Sequence, residues 1–294
     1  MWARCLDALK RGARPAPAAA VVAGPTPRQE DAQNLCEARP WELALRPAVL
    51  TVLGGASRLW MHVLNDTKVE GSEILAAAVQ SRAPGRGLLT VSNHVCALDD
   101  PLVVAAAMPA SSLLNCTELR WTLCATDRCF KGGMADSFFR AAKVLPVQRG
   151  AGLLQPGLLA AERRLAHGDW VHMVRRSLVR ATALWLPWPG QRLSTPHALS
   201  QFPEGTRSQD GHLGQIKRGV GRLFCEAAAL AKAQPGGAMP LVVPIVHSGM
   251  DEVNPRGKLL RTGKTVRVLV GEPLDLAPLL CGALTQPAHP CESI

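Results

Sequence analysis

At 294 residues, 47% of them apolar, the chain can bury a core large enough for one large α/β domain or two small ones. It has no Tyr, five Phe and seven Trp, too few to build an aromatic stacking surface for single-stranded nucleic acid. The formal net charge of +10 comes without a run of five or more Lys/Arg and without a helix-turn-helix, RRM or zinc-finger pattern, so an anionic membrane surface, and no nucleic acid, is the expected partner.

Nine cysteines, an odd number with no Cys-x2-Cys pair, signal neither a disulfide framework nor a zinc site, and free thiols in a reducing compartment are expected. Residues 1–40 are rich in Ala, Pro and Arg. Pro15, Pro17, Pro25 and Pro27 prevent a long helix, so a disordered or targeting segment is expected. Its basic start is compatible with a mitochondrial transit peptide.

Residues 41–78 are expected to hold a membrane-associating apolar helix. Arg46, Arg58 and His62 interrupt it, and the uncharged run from Pro47 to Ser57 is well short of the roughly 20 residues a spanning helix needs. A helix lying in one leaflet and a helix packed on the protein's own core both fit the pattern.

From 79 to 280 the pattern alternates. Leu88–Ser92, Val144–Val147, Asp169–Met173, Leu241–Val246 and Thr265–Val270 read as strands. Pro101–Ala107, Leu153–Ala166 and Gly219–Lys232 read as helices; in the last, Val220, Leu223, Phe224, Ala227 and Leu230 follow i, i+3, i+4 spacing. Strands alternating with helices predict an α/β fold, a mixed β-sheet flanked by helices. A disordered tail is expected over 281–294.

Two segments carry chemistry. In Val91–Pro101, His94 and Asp99 stand five residues apart, about 140° around a helix, so they cannot pair on one. A strand ending near Ser92 and a helix beginning at Asp100-Pro101 place His94 in the intervening loop, where Asp99 can fold back onto the imidazole. Such a carboxylate would hold the ring tautomer while His94 takes a proton from a substrate hydroxyl. Asn93 can shape the loop, and the helix N-terminus offers N–H groups to developing negative charge. Cys96 reads as a small buried apolar side chain rather than a nucleophile.

In Phe202–Arg207, Gly205 permits close backbone approach, Arg207 suits a phosphate and Glu204 can accept from a hydroxyl or fix the arginine. Lys217 and Arg218 add cationic groups. Alone, each segment is weak: His-x4-Asp arises by chance, and a Pro/Gly turn with a solvated arginine is ordinary. Together they fit acyl transfer onto a phosphate-bearing alcohol.

In this order the segments resemble blocks one and three of the glycerolipid acyltransferase superfamily. Val144–Arg149 resembles block two and Val243–Val246 block four. Leu64–Val69, His167–His172 and His247–Pro255 look like a mitochondrial transacylase branch that remodels cardiolipin. The resemblance implies His94 as base and Asp99 as its partner. It implies Arg149, Glu204, Gly205 and Arg207 at the phosphate and glycerol of a lysophospholipid, and Pro244 in an acyl pocket. It implies a phospholipid acyl donor, no metal or redox cofactor, and peripheral attachment to a mitochondrial membrane, with the endoplasmic reticulum as alternative. An acyl-CoA-dependent lysophosphatidate or lysophospholipid acyltransferase is the alternative within the superfamily.

Val174–Gln201 departs from the pattern: 28 residues with four arginines, three prolines and no acid separate the strand from Phe202. Trp185 and Trp188 would suit a membrane-interface loop. A translated retained intron fits better. The segment opens with Val, whose codons begin GT, and closes with Gln, which CAG can encode; removing it restores the superfamily pattern. An insertion there could leave a folded but catalytically inactive membrane-bound isoform.

Overall fold

The computed structural model describes residues 36–175, 219–255 and 257–276. Its elements are, in order, α1 (Pro40–His62), β1 (Asp66–Glu70), α2 (Ser72–Gln80), β2 (Leu88–Asn93), α3 (Asp99–Ala107), a 3-10 turn (Ala110–Leu114) and β3 (Trp121–Ala125). They continue with α4 (Thr126–Cys129), α5 (Met134–Ala141), β4 (Val144–Val147), α6 (Pro156–Ala166), β5 (Trp170–Arg175), α7 (Gly219–Lys232), β6 (Leu241–Ser248), α8 (Met250–Val253) and β7 (Thr265–Val270).

The seven strands form one mixed sheet in the order β1-β7-β6-β2-β5-β3-β4, parallel except for β6 against β7. Side chains alternate across it. Leu88 and Trp170 enter a core with α1, α2 and α3, while Leu89 and Val171 enter a second core with α6 and α7. β1 lies within the 41–78 stretch yet is an edge strand of this sheet, paired with β7. A Cβ on Gly157 would collide with the Pro146 carbonyl, so glycine lets α6 lie close to β4. The parallel strands β2, β5, β3 and β4 all end on one edge, the position where open α/β sheets bind ligands.

α1 buries Leu50 and Met61 in the first core, places polar groups beside them and leaves apolar side chains outside. Glu42 is fully buried and makes a two-point ion pair with Arg140 of α5, at 2.7 and 2.8 Å. Arg46 donates to the Arg140 and Ala141 carbonyls, and Arg58 to those of Ala105, Ala106 and Met108, so each arginine caps the C-terminus of another helix. The two arginines that interrupt the apolar run therefore face inward. Outward stand Trp41, Leu43, Leu45, Val52, Leu59 and Val63, with Val52 70% exposed. Among the described residues no helix is long and apolar enough to cross a membrane.

The Glu42 carboxyl is held down to about 2, because the Arg140 hydrogen bond outweighs the cost of burial. Ionised Glu42 therefore stabilises the fold above the ordinary value of 4.5, and that contribution is lost as pH falls from there through about 2. Glu42→Gln leaves Arg140 buried against a neutral partner and is expected to cost about 3–5 kcal/mol. Urea unfolding at pH 7 and at pH 3 checks this: the variant is weaker at pH 7 and the gap narrows in acid.

One sequence expectation is corrected. Cys124 and Cys129 form a disulfide, because the corner from β3 into α4 folds the chain back and brings their Cα atoms to 6.2 Å. Cys96, Cys116 and Cys225 are free thiols.

Candidate active site

β2 delivers His94 to the carboxyl edge of the sheet, and α3 begins at Asp99. The loop between them closes around the Asp99 carboxylate, which is buried. Oδ2 accepts from His94 Nδ1 at 2.9 Å, from the Val95 N–H at 2.5 Å and from the Cys96 N–H at 2.8 Å. Oδ1 accepts from the Cys96 thiol at 2.9 Å. Burial pushes the Asp99 carboxyl up, but the His94 hydrogen bond, the neighbouring His247 ring and the Cys96 hydrogen bond together outweigh it and the net displacement is downward. An ionised Asp99 requires the proton of the neutral ring to sit on Nδ1. Nε2 is then the basic nitrogen, on a side chain 28% exposed and so within reach of a substrate.

The same geometry settles two smaller points. Burial and the neighbouring Asp99 charge push the Cys96 thiol well up, so it serves as a buried donor and not a nucleophile. The Val95 and Cys96 amides of the loop are taken by Asp99.

A polar layer that sequence reasoning missed lies beneath the pair. His172 of β5 is buried between Thr90 Oγ1 at 2.7 Å and Ser92 Oγ at 3.2 Å, and Trp170 Nε1 donates to the same threonine at 2.8 Å. Burial pushes the His172 pKa down to about 4, so the ring stays neutral at physiological pH. Asp100, read from sequence as a helix cap, makes a two-point ion pair with Arg120 at 2.8 and 2.9 Å. Asn93 and His247 exchange backbone and side-chain bonds across β2 and β6, at 2.8 Å each. The only sequence signal for Thr90, Ser92, His172 and His247 was polar residues on otherwise apolar strands.

Arg149 stands two residues beyond β4, 60% exposed, with Nη1 3.2 Å from Asp127. Gln155 pins its loop by accepting from the Gln148 N–H at 2.6 Å and donating to Gly152 O at 2.7 Å. Arg149 shares the carboxyl edge with His94, but β5 and β3 intervene, a separation of about 14 Å between strand axes. Pro244 pairs in register with Val91 of β2 and packs against Gly271. Glu204, Gly205 and Arg207, with Lys217 and Arg218, lie outside the described residues, as do most of 174–201 and the segments 1–35 and 277–294. Val174 and Arg175 extend β5, in register with Ser92 and Asn93.

A family profile described as acyltransferase matches residues 66–248. The chain is 29% identical over 230 residues to tafazzin of Drosophila melanogaster, covering 78% of this chain and 51% of that protein. It is 30% identical over 238 residues to an N-acylphosphatidylethanolamine synthase of Arabidopsis thaliana, covering 78% and 70%. It is 29% identical over 231 residues to a protein named taffazin in Dictyostelium discoideum, covering 78% and 69%. The chain thus spans about half the length of the Drosophila relative. With the His94–Asp99 pair at the head of a helix inside the matched region, the chain belongs to the acyltransferase family and is similar within it to the tafazzins.

Proposed function

We propose that the chain is a phospholipid transacylase that moves an acyl chain from a phospholipid onto a lysophospholipid of the monolysocardiolipin type. The observation that carries this is the buried, ionised Asp99 holding His94 with Nε2 free to act as a base. His94 Nε2 takes the proton of the acceptor hydroxyl as its oxygen attacks the donor ester carbonyl. The tetrahedral adduct collapses, and the donor alcohol leaves with the proton returned by the imidazolium. One ester breaks, one forms, and no redox change occurs.

Arg149 and the Glu204–Arg207 segment would hold the acceptor phosphate, and Pro244 would border the acyl chain. The apolar outer face of α1, with the basic net charge behind it, supports attachment to an anionic membrane, and the similarity to tafazzins supports a mitochondrial one. The similarity to an N-acylphosphatidylethanolamine synthase favours a second acceptor, the amine of phosphatidylethanolamine. Labelled phosphatidylcholine or labelled acyl-CoA, offered with lysocardiolipin or phosphatidylethanolamine, separates these readings. The proposal expects transfer from phosphatidylcholine to lysocardiolipin without CoA.

Membrane attachment has its own test. Val52→Glu with Leu59→Glu places two charges on the outer face of α1 without touching its buried partners. Full burial of each apolar side chain is worth roughly 1.5–3 kcal/mol. Affinity for cardiolipin-containing vesicles is expected to fall at least about tenfold in a sedimentation assay, with the unfolding midpoint unchanged.

A further inference from the structure

His247 is buried at the end of β6 and faces the site from behind. Its Nε2 lies 2.8 Å from the Asn93 carbonyl and 3.9 Å from Asp99 Oδ1. A carbonyl only accepts, so Nε2 carries the proton, and it stands between the backbone just before His94 and the Asp99 oxygen that accepts from the Cys96 thiol. Asn93 returns the contact twice: its Oδ1 accepts from the His247 N–H and its Nδ2 donates to the His247 carbonyl, both at 2.8 Å. Three hydrogen bonds thus tie the residue preceding His94 to a strand 154 positions away in sequence. The other ring nitrogen, Nδ1, is buried without a hydrogen-bond partner among the described residues. An apolar side chain would fill the same space without that cost, so the retained ring points to a use for Nε2.

We propose that His247 is a positioning residue, whose Nε2–H fixes the end of β2 and thereby the distance and angle of His94 against Asp99. Resting on the reading of His94 as a base, this assigns to β6 the second support of the pair. Burial pushes the His247 pKa down, which keeps the ring neutral and leaves the Asp99 charge for the His94 imidazolium. A displacement of the base by about 1 Å costs on the order of a hundredfold in rate.

The test uses two substitutions and a readout that needs no turnover. The Nδ1–H of His94, held by a carboxylate, gives a downfield proton resonance in the full chain, assigned by its absence in His94→Ala. His247→Leu is expected to abolish or shift that resonance. His247→Gln, whose side-chain amide can donate from nearly the place of Nε2, is expected to keep it. Where turnover is measured, Leu lowers kcat about a hundredfold, leaves KM for the lysophospholipid within about twofold, and Gln restores most of the loss. A Leu variant with unaltered resonance and kcat overturns the proposal, as does a Gln variant that loses as much as Leu. A native chain without the resonance overturns it too. Turnover persisting in His94→Ala overturns the base assignment instead, and the resonance still decides the role of His247.

Discussion

His94→Ala is expected to lower acyl transfer between about 10²- and 10⁴-fold, with little change in the binding of lysophospholipid-containing vesicles. The ring supplies the only basic nitrogen of the pair, since Nδ1 is committed to Asp99 at 2.9 Å. Asp99→Asn is expected to do comparable damage by another route. An asparagine amide facing Nδ1 stabilises the wrong tautomer and turns the proton toward the substrate side. It also perturbs the acceptor for the Val95 and Cys96 N–H groups as well as for His94, so its unfolding midpoint falls further than that of His94→Ala, which removes one of these donors. Initial rates and urea midpoints, measured on both variants, separate the chemical effect from the structural one.

The second large effect is a gain. Deleting Val174–Gln201 is expected to raise turnover at least about a hundredfold. β5 ends with Val174 opposite Ser92 and Arg175 opposite Asn93. Without the 28 residues, Phe202 and Pro203 take those two strand positions. Glu204 then follows one residue on, at the edge where β2 delivers His94. The segment proposed to bind phosphate and the proposed base would then become neighbours through the sheet's own register. Stability should change little, because the core residues of β5, Trp170 and Val171, precede the deletion. A genomic sequence with GT and AG at the borders of the segment accords with a retained intron. Unchanged turnover after the deletion would show the segment to be a tolerated insertion.

How much was legible depended on burial. β2, β4, β5, β6 and β7 are strands with at least one strongly apolar face, and their sequences announce them. β1, Asp-Thr-Lys-Val-Glu, is an edge strand with exposed alternate positions, and its polarity concealed it. The His94–Asp99 pair was readable because a strand, a loop and a helix cap all lie within eleven residues, so local geometry dictates the contact. His247 and His172 were not, because their partners come from other strands and only the sheet order reveals them. The arginines of α1 were misleading for a related reason. In an apolar run they look like breaks in a membrane face, yet Arg46 and Arg58 are turned to the carbonyls of neighbouring helices. The outer face is more apolar than the sequence average suggests, and that is a tertiary property. The nine cysteines likewise gave no pairing signal until the β3–α4 corner brought Cys124 to Cys129.

The central claim, acyl transfer driven by His94 with a phospholipid as donor, is tested most directly by one measurement. Labelled acyl groups in phosphatidylcholine are followed into lysocardiolipin, without CoA, by the chain lacking Val174–Gln201 and by the same chain carrying His94→Ala. The predicted result is steady transfer by the first and a loss of at least about a hundredfold in the second. Equal transfer by both, or transfer that appears only when acyl-CoA replaces phosphatidylcholine, would contradict it.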